Sequence, residues 1–441
     1  MSVDEFPGPL FTDLYELTMA AGYFDRRLDE TATFSLFVRE HPRRGYFVAC
    51  GLQAVVDALI RFRFSDREIE WLAQAELFKR DFLAYLATLR FTGDVRAMAE
   101  GEIFFADEPV LEVSAPLIEA QILETFLINT VGVASMLATK AARCVHAAAG
   151  RPIADFSLRR TQGIHAGMTV ARSSYIAGFA STSNVLAGKI WGIPTSGTMA
   201  HSFVTAFESE TEAFEAYAEL FPKAAVFLID TYDTIAGAEK AAAVGKGMKQ
   251  KGQALMGVRL DSGDMVALSR KVRRILDEAG LPEVKIFASS GFDEYELARL
   301  IAEGARIDAF GVGTRMGVSA DAPYLDTVYK MVRMGTRNVC KTSEGKVTLA
   351  GEKQVFRKMA DGQFKGDILG LREESRDDAV PLLSMVMENG RSVGPRPTLE
   401  EIRQRFAHNF KRLDDKTKDL TNPQKYLVAL SERLVELQNQ C

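Results

Sequence analysis

Glycine-containing turns follow two short apolar runs in the second half of the chain and are candidates for phosphate binding. The segment DAFGVGTRMG, residues 308–317, places Gly311 and Gly313 just after a predicted strand, and Thr314 adds a hydroxyl donor. Glycines let backbone N–H groups approach an anion closely. The segment SSGF at 289–292 has the same character. Each turn alone is equally well explained as an ordinary strand-to-helix turn. Two of them favour a phosphate site, because paired phosphate-binding loops recur in α/β barrels.

Arginines follow two other apolar runs. Arg159 and Arg160 come just after residues 153–156, and Arg259 directly follows residues 254–258. The planar guanidinium fork can grip a phosphate or a carboxylate. A surface pair explains Arg159 and Arg160 equally well, whereas a charge at the end of a buried strand, as at Arg259, needs a partner or a ligand. The candidate phosphate-binding residues are Arg159, Arg160, Ser290, Gly291, Gly313 and Thr314.

Paired carboxylates follow two predicted strands. Asp230 and Asp233 come after one strand, and Asp261 and Asp264 come after another. Such carboxylates can hold ribose hydroxyls or a Mg²⁺ ion that bridges a diphosphate. The alternative role is that of a helix N-cap, which explains Asp264 equally well and Asp261 less well. We predict Asp261 as a catalytic residue and Asp230 as a candidate magnesium ligand.

One histidine of the five, His201 in the segment SGTMAHSFV, lies in a turn of small residues after a predicted strand. An imidazole in such a turn can act as a base or as a phosphoryl acceptor. A lone histidine is more often structural, and spacing alone does not distinguish these roles.

Alternating elements position these residues along the chain. The predicted strands are 153–156, 178–180, 195–197, 225–229, 254–258, 285–288 and 309–312. The predicted helices between them are 211–221, 234–250, 264–279 and 292–303. This alternation predicts a parallel sheet, open or closed into a barrel. Because ligands bind at the carboxyl ends of parallel strands, where most of these strands meet a polar motif, we expect the motifs to converge.

The flanking regions complete a three-part organisation. Residues 1–115 form an α+β domain, with predicted strands at 31–38, 95–106 and 110–113 and predicted helices at 47–64 and 66–89. A long helix over 116–143 leads into an α/β domain at 116–325 that carries the active site. The C-terminal segment is 326–441, with two charged amphipathic helices within 398–440, and we expect part of 326–360 to complete the first domain.

Composition excludes several classes of protein. The net charge of −5 argues against binding nucleic acid through bulk electrostatics. The four cysteines form no CxxC pair, and such scattered cysteines fit a reducing cytosol. No basic and apolar signal segment begins the chain. The most apolar stretch, 116–142, is interrupted by polar and charged residues, so we expect no membrane span and a cytoplasmic location.

Taken in order, the motifs resemble those of the nicotinate phosphoribosyltransferase family. They are GPLFTDLYELTMAAGYF, LRRTQG, STSNVLAG, SGTMAHSFVTAF, LIDTYDT, GVRLDSGD, SSGFDE, FGVGTRMG and GEKQVFR. Each motif is modest by itself, but the ordered set is specific, and the resemblance extends to about Arg357.

The resemblance implies a reaction in NAD salvage: nicotinate and phosphoribosyl diphosphate give nicotinate mononucleotide and diphosphate, coupled to ATP hydrolysis, with Mg²⁺ as cofactor. It implies that His201 is phosphorylated by ATP, that Tyr15, Thr198 and Arg259 bind nicotinate, and that Thr314 binds the phosphoribosyl substrate. The implied fold is that of type II phosphoribosyltransferases, an N-terminal sandwich beside an irregular, incomplete α/β barrel. The implied assembly is a homodimer with its sites near the interface, which would explain how the distant Tyr15 reaches the pocket.

Other functions are weighed against this one. A quinolinate enzyme would need more basic residues and no ATP, and the GTMAHSFV motif argues against it. A nicotinamide enzyme is harder to exclude, although an amide does not demand a cationic partner. A non-catalytic sensor would be expected to lose His201 or Asp261, and both are present. Another α/β-barrel enzyme is disfavoured by the motif order. Some relatives carry a cysteine zinc site near the C-terminus, and we expect none here because the cysteines are lacking.

Overall fold

The computed structural model describes residues 8–341 and 348–440. Within this part of the chain, residues up to Thr139 and from Ala322 onward form one compact unit, and Lys140–Asp321 form a second. The division into three domains at residues 115 and 325 stays a prediction.

The first unit contains an antiparallel sheet whose described part has seven strands. One of its inner strands, Thr31–Val38, is buried at every residue but the first, so it is covered on both faces. Strands from the C-terminal part of the chain flank the three N-terminal strands on both sides, so the N-terminal strands alone do not complete the sheet. The order is Arg337–Asn338, Thr327–Met334, Thr31–Val38, Pro109–Pro116, Asp94–Met98, Leu383–Glu388 and Arg391–Ser392.

Smaller sheets and helices complete the first unit. Four strands form a second sheet in the order Ala379–Pro381, Lys353–Ala360, Gln363–Leu371 and Val428–Leu430, and Phe47–Val48 pairs with Ile103–Phe104. The helices of the described part are Leu14–Asp25, Leu52–Ile60, Asp66–Gln74, Arg80–Thr88, Leu117–Gln121, Leu399–Arg412, Glu432–Asn439 and the start of Glu124–Ala147.

The predicted helix over 47–64 is wrong at its start. Phe47–Val48 is a strand, and the helix is Leu52–Ile60. Gly51 separates the two elements with a backbone φ of +99°, a left-handed conformation that glycine adopts without strain. A side chain there would approach the carbonyl oxygen of Thr130 to 3.0 Å, so the turn is also tightly packed.

The apolar stretch after residue 116 is a core element. Residues Leu117–Ala147, helical apart from a short break, are long and apolar enough to cross a membrane, with a mean hydropathy of 1.5. Of its most apolar part, 67% is buried inside the protein, which fits a core helix.

The second unit is built on a parallel sheet of six strands within the described residues. The order is Ser181–Thr182, Ile153–Asp155, Ala309–Val312, Lys285–Ser289, Gly257–Leu260 and Val226–Leu228. The two outermost strands in this order do not pair with each other, so no closed barrel forms among the described strands. The helices are Ile164–Ile176, Val185–Trp191, His201–Thr205, Glu210–Leu220, Thr234–Gln250, Met265–Glu278, Glu294–Ala302 and Thr314–Gly317. The predicted parallel α/β class is therefore confirmed.

Two predicted strands differ from the structure. The strand predicted at 178–180 lies at Ser181–Thr182, because Gly178 takes a φ of +108° to end the preceding helix. Residues 195–197 contribute only one bridge, between Thr182 and Thr195. The segment that leads to His201 is therefore mostly irregular, and both a backbone bond from Ser196 to Thr182 and side-chain contacts hold it.

A cluster of buried acids in the first unit surrounds one arginine. The guanidinium of Arg357 forms a fork with Asp367, at 3.0 and 2.6 Å, and donates to Glu102 at 2.7 Å. Glu108 is fully buried nearby, and its Oε1 atom receives no hydrogen bond from a donor group in the described part of the chain. Burial, together with the charge of Asp367, raises the pKa of Glu108 well above its ordinary value of 4.5. A proton on Glu108 makes its carboxyl group a donor to Asp367 and removes an uncompensated buried charge.

We expect this proton to make stability depend on pH. Because the pKa is raised in the folded state, the contribution of Glu108 is complete below pH 4.5 and is lost as the pH rises through the raised value. Glu108→Gln replaces the protonated acid by a permanently neutral amide. Its free energy of unfolding should gain on that of the wild type by up to about 1.4 kcal/mol per pH unit between pH 4.5 and the raised value, measured by urea denaturation at several pH values. Glu388→Gln, at an exposed position, is the matched control. Parallel pH profiles for the wild type and Glu108→Gln would contradict the expectation.

Candidate active site

The guanidinium of Arg259 is the centre of a hydrogen-bonded network at the carboxyl end of the second unit's sheet. Its Nε atom donates to the hydroxyl of Ser289 at 2.8 Å. Its Nη1 atom donates to the hydroxyl of Thr198 at 2.9 Å and to the carbonyl of Met199 at 3.1 Å. Its Nη2 atom donates to Asp261 at 3.1 Å. Since a guanidinium has five N–H groups, one N–H on Nη2 is left over from these contacts.

Strand register explains why these side chains meet. Arg259 lies level with Leu228 on one neighbouring strand and with Phe287 on the other. Side chains two residues apart on a strand share a face, and residues that are paired between parallel strands stay paired in step further along the strands. The residues two positions further along the three strands are Asp230, Asp261 and Ser289.

These three side chains are linked to one another. Asp261 accepts a hydrogen bond from the hydroxyl of Ser289, and its own backbone N–H donates to Asp230 Oδ2 at 3.0 Å. The hydroxyl of Ser262 donates to the same Asp230 oxygen at 2.6 Å. The other oxygen, Asp230 Oδ1, is buried and has no hydrogen-bond partner among the described residues.

The environment keeps Asp261 ionised. Burial raises the pKa of Asp261, but the hydrogen bond from Ser289 and the charge and hydrogen bond of Arg259 lower it by more. The charge of His201, when protonated, acts in the same direction. The net result is a pKa below the ordinary aspartate value, so the carboxylate is an anion at neutral pH.

His201 stands beside this anion. It begins the short helix His201–Thr205, and its side chain is 46% exposed. Its Nε2 atom lies 3.8 Å from Asp261 Oδ2, and its Nδ1 atom is 3.1 Å from the hydroxyl of Thr231. A neutral imidazole held in this way has one protonated nitrogen and one lone pair, so it can accept a proton or a phosphoryl group.

The glycines of the turn at 311–313 have a packing role that the sequence does not reveal. A Cβ on Gly311 would come within 2.5 Å of the Phe156 ring, and one on Gly313 within 2.8 Å of the Phe156 carbonyl oxygen. The guanidinium carbon of Arg259 lies 5.7 Å from the centre of the same ring. The glycines therefore make room for an aromatic ring that lies next to the central arginine.

The remaining predicted phosphate residues line an open edge. Ser290, Gly291 and Thr314 are exposed, and a Cβ on Gly291 would come no closer than 4.0 Å to any neighbour, the side chain of Arg315. Arg315 in turn pairs with Asp293 at 3.2 Å, which joins the two turns. Space for a ligand exists at Gly291, whereas Gly313 is needed for packing.

Three predicted residues stand apart from the network. Arg159 and Arg160 are exposed in a 3-10 turn, and neither forms an ion pair with any residue that the structure describes. Tyr15 belongs to the first unit, on the helix Leu14–Asp25, and its side chain is exposed. Burial of part of the ring, followed by the charge of Glu124, raises the pKa of Tyr15.

The N-cap alternative applies to Asp264 and Asp233. Asp264 caps Met265–Glu278 by accepting hydrogen bonds from the backbone N–H groups of Val266 and Ala267, and Asp233 caps the preceding helix, Thr234–Gln250, through the N–H of Ala236. Asp261 caps no helix. No group of three or more metal-binding side chains occurs among residues 8–341 and 348–440. The free oxygen of Asp230 still fits Mg²⁺, which takes one or two carboxylates and completes its shell with substrate oxygens and water.

Sequence reasoning did not single out Thr231, Ser289 or Phe156 as parts of this network. Ser289 is the last residue of its strand, directly before the predicted Ser290, and Thr231 directly follows Asp230. The period-two spacing from Phe287 to Ser289 is the signal that could have identified Ser289. No comparable signal exists for Phe156, because only packing against the glycines reveals it.

Comparisons with known proteins cover nearly the whole chain. Residues 10–132 match the nicotinate phosphoribosyltransferase (NAPRTase) N-terminal domain, residues 152–367 match the nicotinate phosphoribosyltransferase (NAPRTase) family, and residues 375–438 match the nicotinate phosphoribosyltransferase C-terminal domain. The match therefore continues beyond Arg357, where the resemblance by motif ended.

Individual proteins agree with these matches. A nicotinate phosphoribosyltransferase of Mycobacterium tuberculosis is 47% identical over 99% of this chain and 94% of its own length. The crystal structure of human nicotinic acid phosphoribosyltransferase superposes with a TM-score of 0.87 at 32% identity, covering 98% of this chain and all of that one. A nicotinate-nucleotide pyrophosphorylase from Pyrococcus furiosus gives a TM-score of 0.75 at 26% identity, covering 91% and 94%.

The packing around Gly311 predicts that an alanine there lowers the stability of the fold, whereas an alanine at the unconfined Gly247 raises it. Gly311→Ala should destabilise the fold by about 1–3 kcal/mol, because the new methyl group collides with the Phe156 ring. Gly247→Ala, in the interior of Thr234–Gln250 with open space around it, should instead stabilise by about 0.5–1 kcal/mol. Thermal and urea unfolding of both variants measure the difference. A Gly311→Ala variant as stable as the wild type would show that the ring moves aside at no cost.

Proposed function

The chain belongs to the nicotinate phosphoribosyltransferase family, and we propose that it transfers the phosphoribosyl group of phosphoribosyl diphosphate to nicotinate. The products are nicotinate mononucleotide and diphosphate. The observation that carries this proposal is the network in which Arg259, an ionised Asp261 and His201 lie within hydrogen-bond or ion-pair reach of one another.

Nicotinate is a flat aromatic carboxylate, and the network offers groups for both of its features. The free N–H on Arg259 Nη2 and the rotatable hydroxyl of Thr198 can donate to the carboxylate. The fork of Arg259 is largely occupied, so the carboxylate takes one N–H or displaces a present partner. Phe156 lies beside the guanidinium and can supply an apolar face to the ring. Tyr15 stays a predicted nicotinate-binding residue.

The ribosyl transfer needs help with separated charge. The pyridine nitrogen forms a bond to the ribose C1 atom while the bond from C1 to the diphosphate oxygen breaks, and positive charge develops on the sugar. The anionic Asp261, held in place by Ser289 and Arg259, suits the stabilisation of that positive charge or the binding of ribose hydroxyls. Its lowered pKa keeps this role available at neutral pH.

The leaving diphosphate and the 5-phosphate need donors. We assign this role to two turns, one carrying Ser290 and Gly291 and the other carrying Gly313 and Thr314. The exposed Arg159 and Arg160 are further cationic donors. Mg²⁺ would be held at Asp230 Oδ1 and would supply charge neutralisation to the diphosphate.

We further assign the coupling to ATP to His201. The lone pair of its imidazole attacks the γ-phosphorus of ATP, an N–P bond forms, the bridging P–O bond breaks and ADP leaves. Water later hydrolyses the phosphohistidine to phosphate. The exposure of the ring and its hydrogen bond to Thr231 support this role, since one leaves access for ATP and the other orients the imidazole. The added negative charge beside the magnesium position would strengthen substrate binding before transfer.

A homodimer in the cytoplasm completes the proposal. The first helix and the segment just before it present large exposed apolar side chains that a second copy could cover. They are Phe11, Leu14, Tyr15 and Met19.

The experiment that tests the function offers three pyridines to the purified protein. Nicotinate, nicotinamide and quinolinate are each incubated with phosphoribosyl diphosphate and Mg²⁺, with and without ATP, and mononucleotide products are separated by chromatography. We expect product from nicotinate and a higher rate with ATP. Turnover of nicotinamide in preference to nicotinate would overturn the role given to Arg259, and no turnover of any pyridine would favour a sensor.

His201→Ala should abolish the effect of ATP. The ratio of product formation with ATP to that without should fall to about 1, because the phosphoryl acceptor is missing. Incubation with γ-labelled ATP should give acid-labile label on the wild type and none on the variant. His165→Ala, at another exposed histidine of the second unit, is the matched control. Equal labelling of the wild type and His201→Ala would assign the phosphoryl group to another residue.

A further inference from the structure

A buried ionic cluster in the second unit is not used by the proposed reaction. The ammonium of Lys140 contacts Glu294 and lies 2.6 Å from Asp321 Oδ1. Arg143 Nε donates to the other oxygen of Glu294 at 2.8 Å. The side chains of Lys140 and Glu294 are fully buried, and those of Arg143 and Asp321 are 1% and 10% exposed.

The cluster joins the two segments that follow the predicted phosphate-binding turns. Glu294 is the first residue of the helix that begins after Ser290 and Gly291. Asp321 ends the segment that begins at Thr314. Lys140 is therefore a single cation shared between the two turns.

A second tie joins the same two segments. Asp293 caps the helix Glu294–Ala302 by accepting from the N–H of Glu296 at 3.0 Å. The other oxygen of Asp293 accepts from Arg315 at 3.2 Å. With contacts at both positions, the two turns are held against sliding past each other as well as against separating.

Stability alone does not account for such a cluster. Burying charges is costly, and well-packed apolar side chains of similar volume often stabilise a fold as well or better. Ion pairs differ from apolar contacts in fixing both distance and direction. A phosphate site needs that property, because a misplacement of about 1 Å of its donors can lower a rate about a hundredfold.

We propose that Lys140 is a positioning residue for phosphoribosyl diphosphate: by joining Glu294 to Asp321, it fixes the spacing between the turn of Ser290 and Gly291 and the turn of Gly313 and Thr314. This inference rests on the proposed function. Lys140 does not contact the substrate and acts through the two turns. Nicotinate binding at Arg259 is not its target.

The test removes the shared cation and one acid together. Lys140→Met with Asp321→Asn leaves Arg143 paired with Glu294, so no uncompensated buried charge remains. We expect the KM for phosphoribosyl diphosphate to rise about tenfold or more, while the KM for nicotinate stays within about twofold. Calorimetric titration with phosphoribosyl diphosphate alone should show the same loss of affinity. Asp321→Asn by itself, at the most exposed member of the cluster, gives a smaller effect of the same kind if the double variant fails to fold.

The control breaks an ion pair elsewhere in the same unit. Lys240→Met with Glu210→Gln removes a 3.0 Å ion pair between two helices. The Glu210 side chain in this pair is buried, as the Lys140 cluster is. This double variant should lower the thermal midpoint without changing either KM. If the Lys140 variant raises both KM values equally, or only lowers the midpoint, Lys140 has a purely structural role and the proposal fails. A wild type that makes no mononucleotide overturns the proposed function instead, and the calorimetric titration then still decides the role of Lys140.

Discussion

The guanidinium of Arg259 imposes the constraint on which the arrangement of the second unit's site depends. A charged group at the end of a buried strand must find acceptors for its N–H groups, or the burial is prohibitively costly. One neighbouring strand supplies the hydroxyl of Ser289 as an acceptor, and the irregular segment after residue 195 supplies the hydroxyl of Thr198. The segment that carries His201 is thus held in place by the same arginine that the proposed substrate uses.

Asp261 shows how one residue can serve structure and chemistry together. It neutralises part of the charge of Arg259, and that charge in turn keeps it ionised. The same carboxylate lies within ion-pair distance of His201. A base or phosphoryl acceptor, an anion for the sugar and a cation for a carboxylate are therefore coupled through one direct hydrogen bond, between Arg259 and Asp261, and one electrostatic contact, between Asp261 and His201.

Buried charge is treated differently in the two units, each considered by itself. In the first unit, Arg357 is shared between carboxylates, and burial beside Asp367 raises the pKa of Glu108, which favours its protonated form. In the second unit, Lys140 and Arg143 share one carboxylate completely, with no unpaired oxygen on Glu294. Protonation is enough for a carboxyl group such as Glu108 that only has to be buried. Fixed ion pairs, as in the Lys140 cluster, also set the distance between the two segments that they join.

The sequence by itself determined the α/β class, the order of the strands along the chain and the grouping of polar motifs at their carboxyl ends. These follow from periodicity and from the rule for parallel sheets, both of which are local in sequence. It also singled out Arg259, Asp261 and His201, because unusual residue types at strand ends are visible in one dimension; their roles in the reaction stay predictions. Whether Tyr15 and the paired Arg159 and Arg160 act in the site stays a prediction.

Only the tertiary structure decided how these residues are used. The pairing of Arg259 with Ser289, the collision that requires glycine opposite Phe156 and the capping role of Asp264 depend on which strands become neighbours and at what level. The bridge made by Lys140 joins residues far apart in the chain. Spacing along a sequence carries no information about such pairs, because the contacts form between elements whose relative height is set by sheet register and packing.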